Sequence, residues 1–172
     1  MLHAVRRRLE DLAGALCEIM IPIKHDYCMG QGNNNNVAIC TLASLSLLEM
    51  IAKSPDLMSR ILVVGRLLSE NRGIDLLIRS TLTYPHLHHL VICGDEVKGH
   101  RSGQALLSLH ANGVNEEDGR IIGAIGPNPF LCSSLAEIEL FRKQVRIYDL
   151  IGSRDLKVIR AQLSLISHRR FD

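Results

Sequence analysis

The sequence predicts a single α/β domain whose mainly parallel sheet is covered by helices on both faces. A length of 172 residues suits one domain with one sizeable core. Several short runs are apolar throughout, which is typical of strands that are buried on both faces. Helical patterns separate these runs along the chain, and such alternation favours a parallel sheet.

The predicted elements follow in order along the chain. An amphipathic helix over 4–20 ends before Pro22, and residues 28–36 form a polar loop rich in Gly and Asn. Strands are predicted at 37–42, 61–65, 89–94 and, as a candidate fourth, 120–126. Helices are predicted at 46–53, 70–82 and 100–111, and over most of 134–152 and 154–168, with room for a short strand in 145–152.

The composition excludes several classes of protein. Twenty Lys and Arg against eighteen Asp and Glu, with few aromatic residues, give no electrostatic or stacking basis for nucleic-acid binding. Serine or charged residues interrupt each apolar run before it reaches the roughly 20 residues that cross a membrane. Acidic residues follow the N-terminal arginines, so no secretory signal develops. We therefore expect a soluble, cytoplasmic protein with no membrane span and no nucleic-acid partner.

The cysteine pattern indicates neither disulfides nor a zinc site. The five cysteines are an odd number, are widely scattered and form no C-x-x-C pair. Cys40 and Cys93 stand within apolar runs, where a small buried thiol is expected.

Ligands of parallel α/β sheets bind outside the carboxyl ends of the strands. Applied to this sequence, that rule indicates three segments: 41–44, 65–69 and 94–99. No G-x-G-x-x-G motif follows a strand, no phosphate-binding loop with a Lys-Ser/Thr ending is present, and no G-x-S-x-G elbow occurs. Common nucleotide-binding and hydrolase sites are therefore not indicated.

Histidines offer two further candidate sites. His86, His88 and His89 lie at the amino end of a predicted strand, away from the expected site, and are interpreted as surface residues. His100 lies beyond the carboxyl end of the same strand, next to Gly99. Its position fits an imidazole metal ligand, a helix cap or polar contact, or a catalytic base oriented by a nearby acid. Residue spacing leaves these interpretations open.

Several blocks in order along the chain resemble a known family. These are CGDEVKGHRSGQALLSLHANGV at 93–114, GRIIGAIG at 119–126 and FRKQVRIYDLIG at 141–152. Together they resemble the A subunit of tetrahydromethanopterin S-methyltransferase, and the similarity extends from about Pro22 to Leu156. The resemblance implies a Rossmann-like three-layer sandwich over 22–172 that binds a cobamide. The amphipathic helix predicted within 1–21 is additional to the family pattern.

The resemblance also implies a function. It makes the chain a corrinoid-binding methyl carrier, the component of a methyltransferase that accepts a methyl group on cobalt from a methyl-tetrahydropterin-type donor. The methyl group would pass to a thiol such as coenzyme M, with methyl-donor and methyl-acceptor partner subunits performing the two transfers. His100 matches the family's cobalt ligand. The sequence is also compatible with a homo-oligomer.

The matching segments identify the residues expected to contact the cofactor. They lie at the predicted strand ends and in the Gly-Ala-x-Gly turn, and comprise Leu42, Ala43, Ser44, Ser69, Glu70, Asn71, Gly94, Asp95, Glu96, Gly99, His100, Gly103, Gly123, Ala124, Gly126 and Pro129. Gly103 is expected to leave the first turn of its helix bare for a flat ligand. Lys98 occupies the position of the aspartate in general corrinoid methyltransferases, so Asp95 or Glu96 is expected to be the carboxylate partner of His100.

Some residues depart from the family pattern. The family carries a C-terminal membrane anchor, whereas this sequence reaches Asp172 without one, and Ile21 replaces a tryptophan. These departures favour a soluble, divergent homologue over an excised domain. A rival hypothesis is an interaction module that kept the fold and lost the cofactor.

Overall fold

A five-stranded, mostly parallel sheet organises the computed structural model, which describes residues 27–31 and 35–168. The strand order is β1-β3-β2-β4-β5. Only β1 is antiparallel to its neighbour, β3, among the paired strands described. The strands are β1 (Tyr27–Met29), β2 (Val37–Cys40), β3 (Val63–Gly65), β4 (His89–Gly94) and β5 (Arg146–Ile151).

Six helices in the described part of the chain complete a single α/β domain. They are α1 (Leu45–Ala52), α2 (Pro55–Met58), α3 (Arg72–Leu82), α4 (Ser102–Asn112), α5 (Leu135–Gln144) and α6 (Leu156–His168). Helices α3, α4 and α5 contribute to a core on one face of the sheet, and α1, α2 and α6 to a core on the other. The expected sheet covered on both faces is therefore confirmed.

The central strands explain why the apolar runs could be recognised in the sequence. Every residue of β2 and β4 is buried, and successive residues such as Val91 and Ile92 contribute to opposite cores. Burial of both faces requires apolar side chains at every position. Cys40 and Cys93 are buried free thiols, as expected.

Other sequence predictions were wrong in part. Residues 28 and 29 belong to β1 instead of a loop. The candidate strand at 120–126 contributes only isolated bridges, such as Val114 with Ile121, because Gly119 and Gly123 have positive φ angles that interrupt extended backbone. The short strand allowed for in 145–152 is β5. The predicted helix at 4–20 and the central part of the asparagine loop, 32–34, lie outside the described residues.

The histidine cluster is also not simply a surface feature. His86 is exposed, as expected, but His89 is the buried first residue of β4, and its Nδ1 lies 2.9 Å from the Tyr148 hydroxyl. The prediction of three surface histidines was wrong for His89 because its side chain lies in the sheet, opposite a hydrogen-bonding tyrosine. Across 27–31 and 35–168, every helix is too short or too polar to span a membrane.

Candidate functional site

The carboxyl ends of β2, β3, β4 and β5 lie along one edge of the sheet because these four strands are parallel. The loop after β4 holds His100 in a turn that follows Val97, whose carbonyl accepts hydrogen bonds from the backbone N–H groups of His100 and Arg101. Arg101 adopts a left-handed conformation, φ 52°, and leads into α4. The loop after β3 lies close enough to contact this turn.

His100 is paired with Glu70, which comes from that neighbouring loop. Its Nδ1 lies 2.8 Å from Glu70 Oε2. The Glu70 side chain is completely buried, whereas half of the His100 side chain is exposed. An ionised carboxylate only accepts hydrogen bonds. With Glu70 ionised and His100 neutral, Nδ1 therefore carries the proton and the Nε2 lone pair is available to a ligand.

A third segment supports this pair. The other carboxylate oxygen of Glu70, Oε1, accepts a hydrogen bond of 2.9 Å from the backbone N–H of Asn128. Gly126 lies so close to the turn that a Cβ there would be 2.5 Å from the carbonyl oxygen of His100 and 3.2 Å from Glu70 Oε1. Gly126 thus permits close backbone packing behind the histidine.

Asp95 and Glu96 do not contact the imidazole in the structure, so the expectation that one of them is its partner was wrong. Asp95 forms an ion pair with Arg154 and contacts the hydroxyl of Ser44. Glu96 accepts hydrogen bonds from the backbone N–H groups of Gly103 and Gln104, at 3.0 and 2.6 Å. The side chains of Asp95 and Glu96 are therefore paired with other groups. The carboxylate that contacts the His100 imidazole is that of Glu70, from the loop after β3.

The glycines of this loop differ in their surroundings. Gly103 is buried, and a Cβ there would be 2.9 Å from Leu42 and Ile151, so the first turn of α4 is covered and not bare as expected. Gly94 likewise packs against Thr41 and Ser44. Gly99 has a φ of +88° and open space within 4 Å around its missing Cβ. Gly99 is therefore exposed and uncrowded beside His100, whereas Gly94 and Gly103 are packed against neighbouring residues.

The candidate residues after β2 and β3 mainly build the loops. Leu42 is buried with φ 49°, and the backbone N–H of Ala43 donates to the Asp95 carbonyl over 3.0 Å. The hydroxyl of Ser69 accepts from the backbone N–H of Gly73, and the Asn71 side chain caps α3. Ser44, through its contact with Asp95, joins the β2 and β4 loops.

The residues predicted in and near the Gly-Ala-x-Gly turn make separate contacts and do not form one group. The carbonyl of Gly123 accepts hydrogen bonds from the side chains of Gln104 and Ser108. Ala124 is buried, and the Pro129 carbonyl accepts from the backbone N–H of Ile121. Of this group, the structure brings Gly126 against His100.

Sequence reasoning missed two contributors to the site. Asn128 acts through its backbone, so its side-chain type carries no signal. Asp75 anchors the same segment: its buried carboxylate accepts from the N–H groups of Cys132 and Ser133 and from the Ser133 hydroxyl. An aspartate on the inward face of an otherwise apolar helix pattern was the available signal.

The arrangement suits a metal that already has most of its ligands. A histidine whose second nitrogen donates to a carboxylate is the usual form of a metal-ligating imidazole. Residues 27–31 and 35–168 contain no cluster of three or more His, Cys, Asp or Glu side chains that could hold a bare ion. Among the described residues of this site, His100 is therefore the side chain that could ligate a metal.

Comparisons with known proteins agree with one another. A family model for the A subunit of tetrahydromethanopterin S-methyltransferase matches residues 18–170. Methanothermobacter thermautotrophicus has two relatives that carry this description and are numbered 1 and 2. The A subunit numbered 2 is 37% identical over 139 residues, which are 80% of this chain and 72% of that protein. The one numbered 1 is 38% identical over 102 residues, 59% of this chain and 43% of that protein.

A third relative matches more of the chain at lower identity. The A subunit of tetrahydromethanopterin S-methyltransferase from Methanohalobium evestigatum is 32% identical over 150 residues, 86% of this chain and 58% of that protein. A family model that matches nearly the whole sequence and a 37% identical relative aligned with 80% of it establish the same relationship. The chain belongs to the family of A subunits of tetrahydromethanopterin S-methyltransferase.

Proposed function

We propose that this chain is a corrinoid-binding methyl carrier in which the Nε2 atom of His100 would ligate the cobalt. The observation that carries the proposal is the contact between His100 Nδ1 and the buried Glu70 carboxylate. That contact leaves the lone pair on Nε2, and the half-exposed imidazole can reach a bound molecule.

The residues around the histidine fit such a cofactor. A corrin ring would supply most of the ligands of its own metal, so one imidazole would be enough and a multi-residue ion site is not required. Gly99, which has open space beside it, allows a bulky ring to approach the turn. The carboxyl edge of a parallel sheet is the usual place for a ligand of this fold class.

The bound corrinoid would supply the methyl-accepting metal centre, while the protein supplies ligation and orientation. Glu70 holds the proton of His100 on Nδ1 and fixes the direction of the ring. The backbone N–H of Asn128, in turn, fixes the carboxylate. The chain's contribution is therefore a preset imidazole, whose ligand strength depends on the buried carboxylate behind it.

The proposed transfers need partner subunits. The relatives are named subunits of tetrahydromethanopterin S-methyltransferase, an enzyme with more than one kind of subunit. By analogy, one partner would deliver a methyl group from a methyl-tetrahydropterin-type donor and another would pass it to a thiol such as coenzyme M. Half of the His100 side chain is exposed, which would leave it accessible to both partners.

Reconstitution with hydroxocobalamin tests the proposal. The purified protein should retain the corrinoid through gel filtration and shift its visible spectrum to that of a histidine-ligated form. His100→Ala should lose this shift. His86→Ala is the matched control, because His86 is exposed at the opposite end of β4 and should leave the spectrum unchanged.

Two outcomes would contradict the proposal. An unchanged spectrum and affinity in His100→Ala would exclude His100 as the ligand. Failure of the folded wild-type protein to retain any corrinoid would favour an interaction module that kept the fold and lost the cofactor.

A further inference from the structure

We infer that Ser102 is a positioning residue, whose hydroxyl sets the distance between His100 and Glu70. The inference rests on the proposed function only for its effect on cofactor binding. Its structural part concerns the contact between the start of α4 and the loop that carries Glu70. Ser102 is the first residue of α4 and is completely buried. Its hydroxyl donates to the carbonyl oxygen of Leu67 over 2.7 Å.

The Ser102 hydroxyl does not cap its own helix. The N-cap position of α4 is Arg101, whose side chain makes no capping hydrogen bond. The carboxylate of Glu96 accepts instead from the N–H groups of Gly103 and Gln104. The Ser102 hydroxyl donates to another part of the chain.

The acceptor lies in the loop that carries Glu70. Leu67 follows β3 by two residues and precedes Glu70 by three, in a stretch without regular secondary structure. Ser102 follows His100 by two residues. The hydrogen bond therefore joins the two segments immediately beside the His100–Glu70 contact, across 35 residues of sequence.

Strand order explains why such a connection is needed. Strands β3 and β4 are not neighbours, because β2 lies between them. The ladder hydrogen bonds of the sheet consequently do not fix one loop directly against the other. A short, buried bond from Ser102 to Leu67 supplies that restraint, and the Glu70 carboxylate keeps its distance from Nδ1.

The tautomer of His100 in the cofactor-free protein directly measures the effect of the Ser102 hydroxyl on the contact between His100 and Glu70. In the wild type, ¹⁵N chemical shifts should report a single neutral tautomer with the proton on Nδ1, and the Nδ1 proton should be visible at low field. Ser102→Ala should show a mixture of tautomers and lose the low-field proton. Its affinity for hydroxocobalamin should fall about tenfold, the lower end of the effect of losing support behind a metal-ligating histidine.

Two variants separate positioning from a general loss of stability. Ser102→Cys keeps the size and a weak donor and should fall between wild type and Ser102→Ala; it carries the test if Ser102→Ala fails to fold. Ser167→Ala removes a serine hydroxyl that donates to a helix carbonyl in α6, and it should leave the His100 signals unchanged.

The outcomes distinguish this inference from the proposed function. Wild-type tautomer signals in folded Ser102→Ala would overturn the role of Ser102, even if the wild type binds corrinoid through His100. A mixed tautomer in Ser102→Ala would support that role, even if the wild-type protein binds no corrinoid.

Discussion

Glu70 and His100 are 30 residues apart in sequence, yet their side chains meet at 2.8 Å between Oε2 and Nδ1. The carboxylate is completely buried and the imidazole is half exposed, so the pair has a fixed inner half and an accessible outer half. Burial of an ionisable group is tolerated when hydrogen bonds satisfy it, and here His100 and the Asn128 N–H do so. The relationship makes the carboxylate a support for the imidazole.

Glu70→Gln should therefore weaken, without abolishing, the binding of cobalt by His100. An amide in place of the carboxylate is a poorer acceptor for Nδ1–H, so the Nε2 lone pair becomes less basic. We expect the dissociation constant for hydroxocobalamin to rise about 10–100-fold, as when partners behind metal-ligating histidines are lost. Spectroscopic titration measures it, with Glu49→Gln as the control because Glu49 is exposed on α1. An unchanged constant would rule out support by the carboxylate.

Asp75→Ala should destabilise the fold. The substitution leaves two backbone N–H groups and the Ser133 hydroxyl without their acceptor, and the Asp75 and Ser133 side chains are buried. The free energy of unfolding should fall by about 2–4 kcal/mol, since each unsatisfied buried donor costs about 1–3 kcal/mol. Urea unfolding measures this loss. Asp118→Ala, at an exposed residue that accepts one backbone N–H, should cost less than about 1 kcal/mol.

His89 should make stability depend on pH. Burial lowers the pKa of His89 below its usual 6.5, and the nearby charges of His88 and Arg146 lower it further. The unfolded chain therefore binds a proton at a pH where the folded chain does not. The stability present above pH 6.5 should fall as the pH drops from about 6.5 toward the lower folded-state pKa, by at most about 1.4 kcal/mol per pH unit for one proton.

Urea unfolding at several pH values between about 7 and about 5 measures how the free energy of unfolding depends on the protonation of His89. His89→Gln removes the titrating group and retains a polar side chain opposite Tyr148, so its profile should be flatter than that of the wild type. His86→Gln, at an exposed position, should keep the wild-type profile. A wild-type slope in His89→Gln would assign the acid sensitivity to other groups.

Two of the cysteines should resist alkylation in the folded protein. Burial raises the pKa of the Cys40 and Cys93 thiols to about 12, so almost no reactive thiolate forms near neutral pH. Of the cysteines in the described part of the chain, Cys132 is exposed and should react with iodoacetamide before Cys40 and Cys93 do. Mass spectrometry of the native and urea-unfolded protein measures the order. Early modification of Cys93 in the native protein would contradict its burial.

The sequence predicted the centre of the sheet better than its edges. β2 and β4 are buried on both faces, which forces a continuous apolar run. β5 lies at the edge and exposes Arg146 and Asp149, so its polar residues blend with the helices on either side. β1 has three residues and exists through pairing with β3, which local patterns do not encode.

The sequence identified the loop that carries His100 but not the contacts that the histidine makes there. Position alone singled out His100, because it follows a strongly apolar strand in a parallel sheet. Glu70 was expected near the ligand, but its pairing with the imidazole depends on the order of the strands, which single-sequence patterns do not give. Asn128 contributes a backbone N–H, for which any residue except proline would serve.

The three segments that meet around His100 have a consequence for how the protein matures. Hydrogen bonds across 30, 35 and 58 residues close the pair, and each requires that distant parts of the sheet have already come together. Contacts of such long range form late, after the loops between them have lost their freedom. A nascent or partly folded chain would have the histidine without its carboxylate. Under the proposed function, the ability to hold a corrinoid would therefore be acquired late in folding, and corrinoid uptake would serve as a check on complete folding.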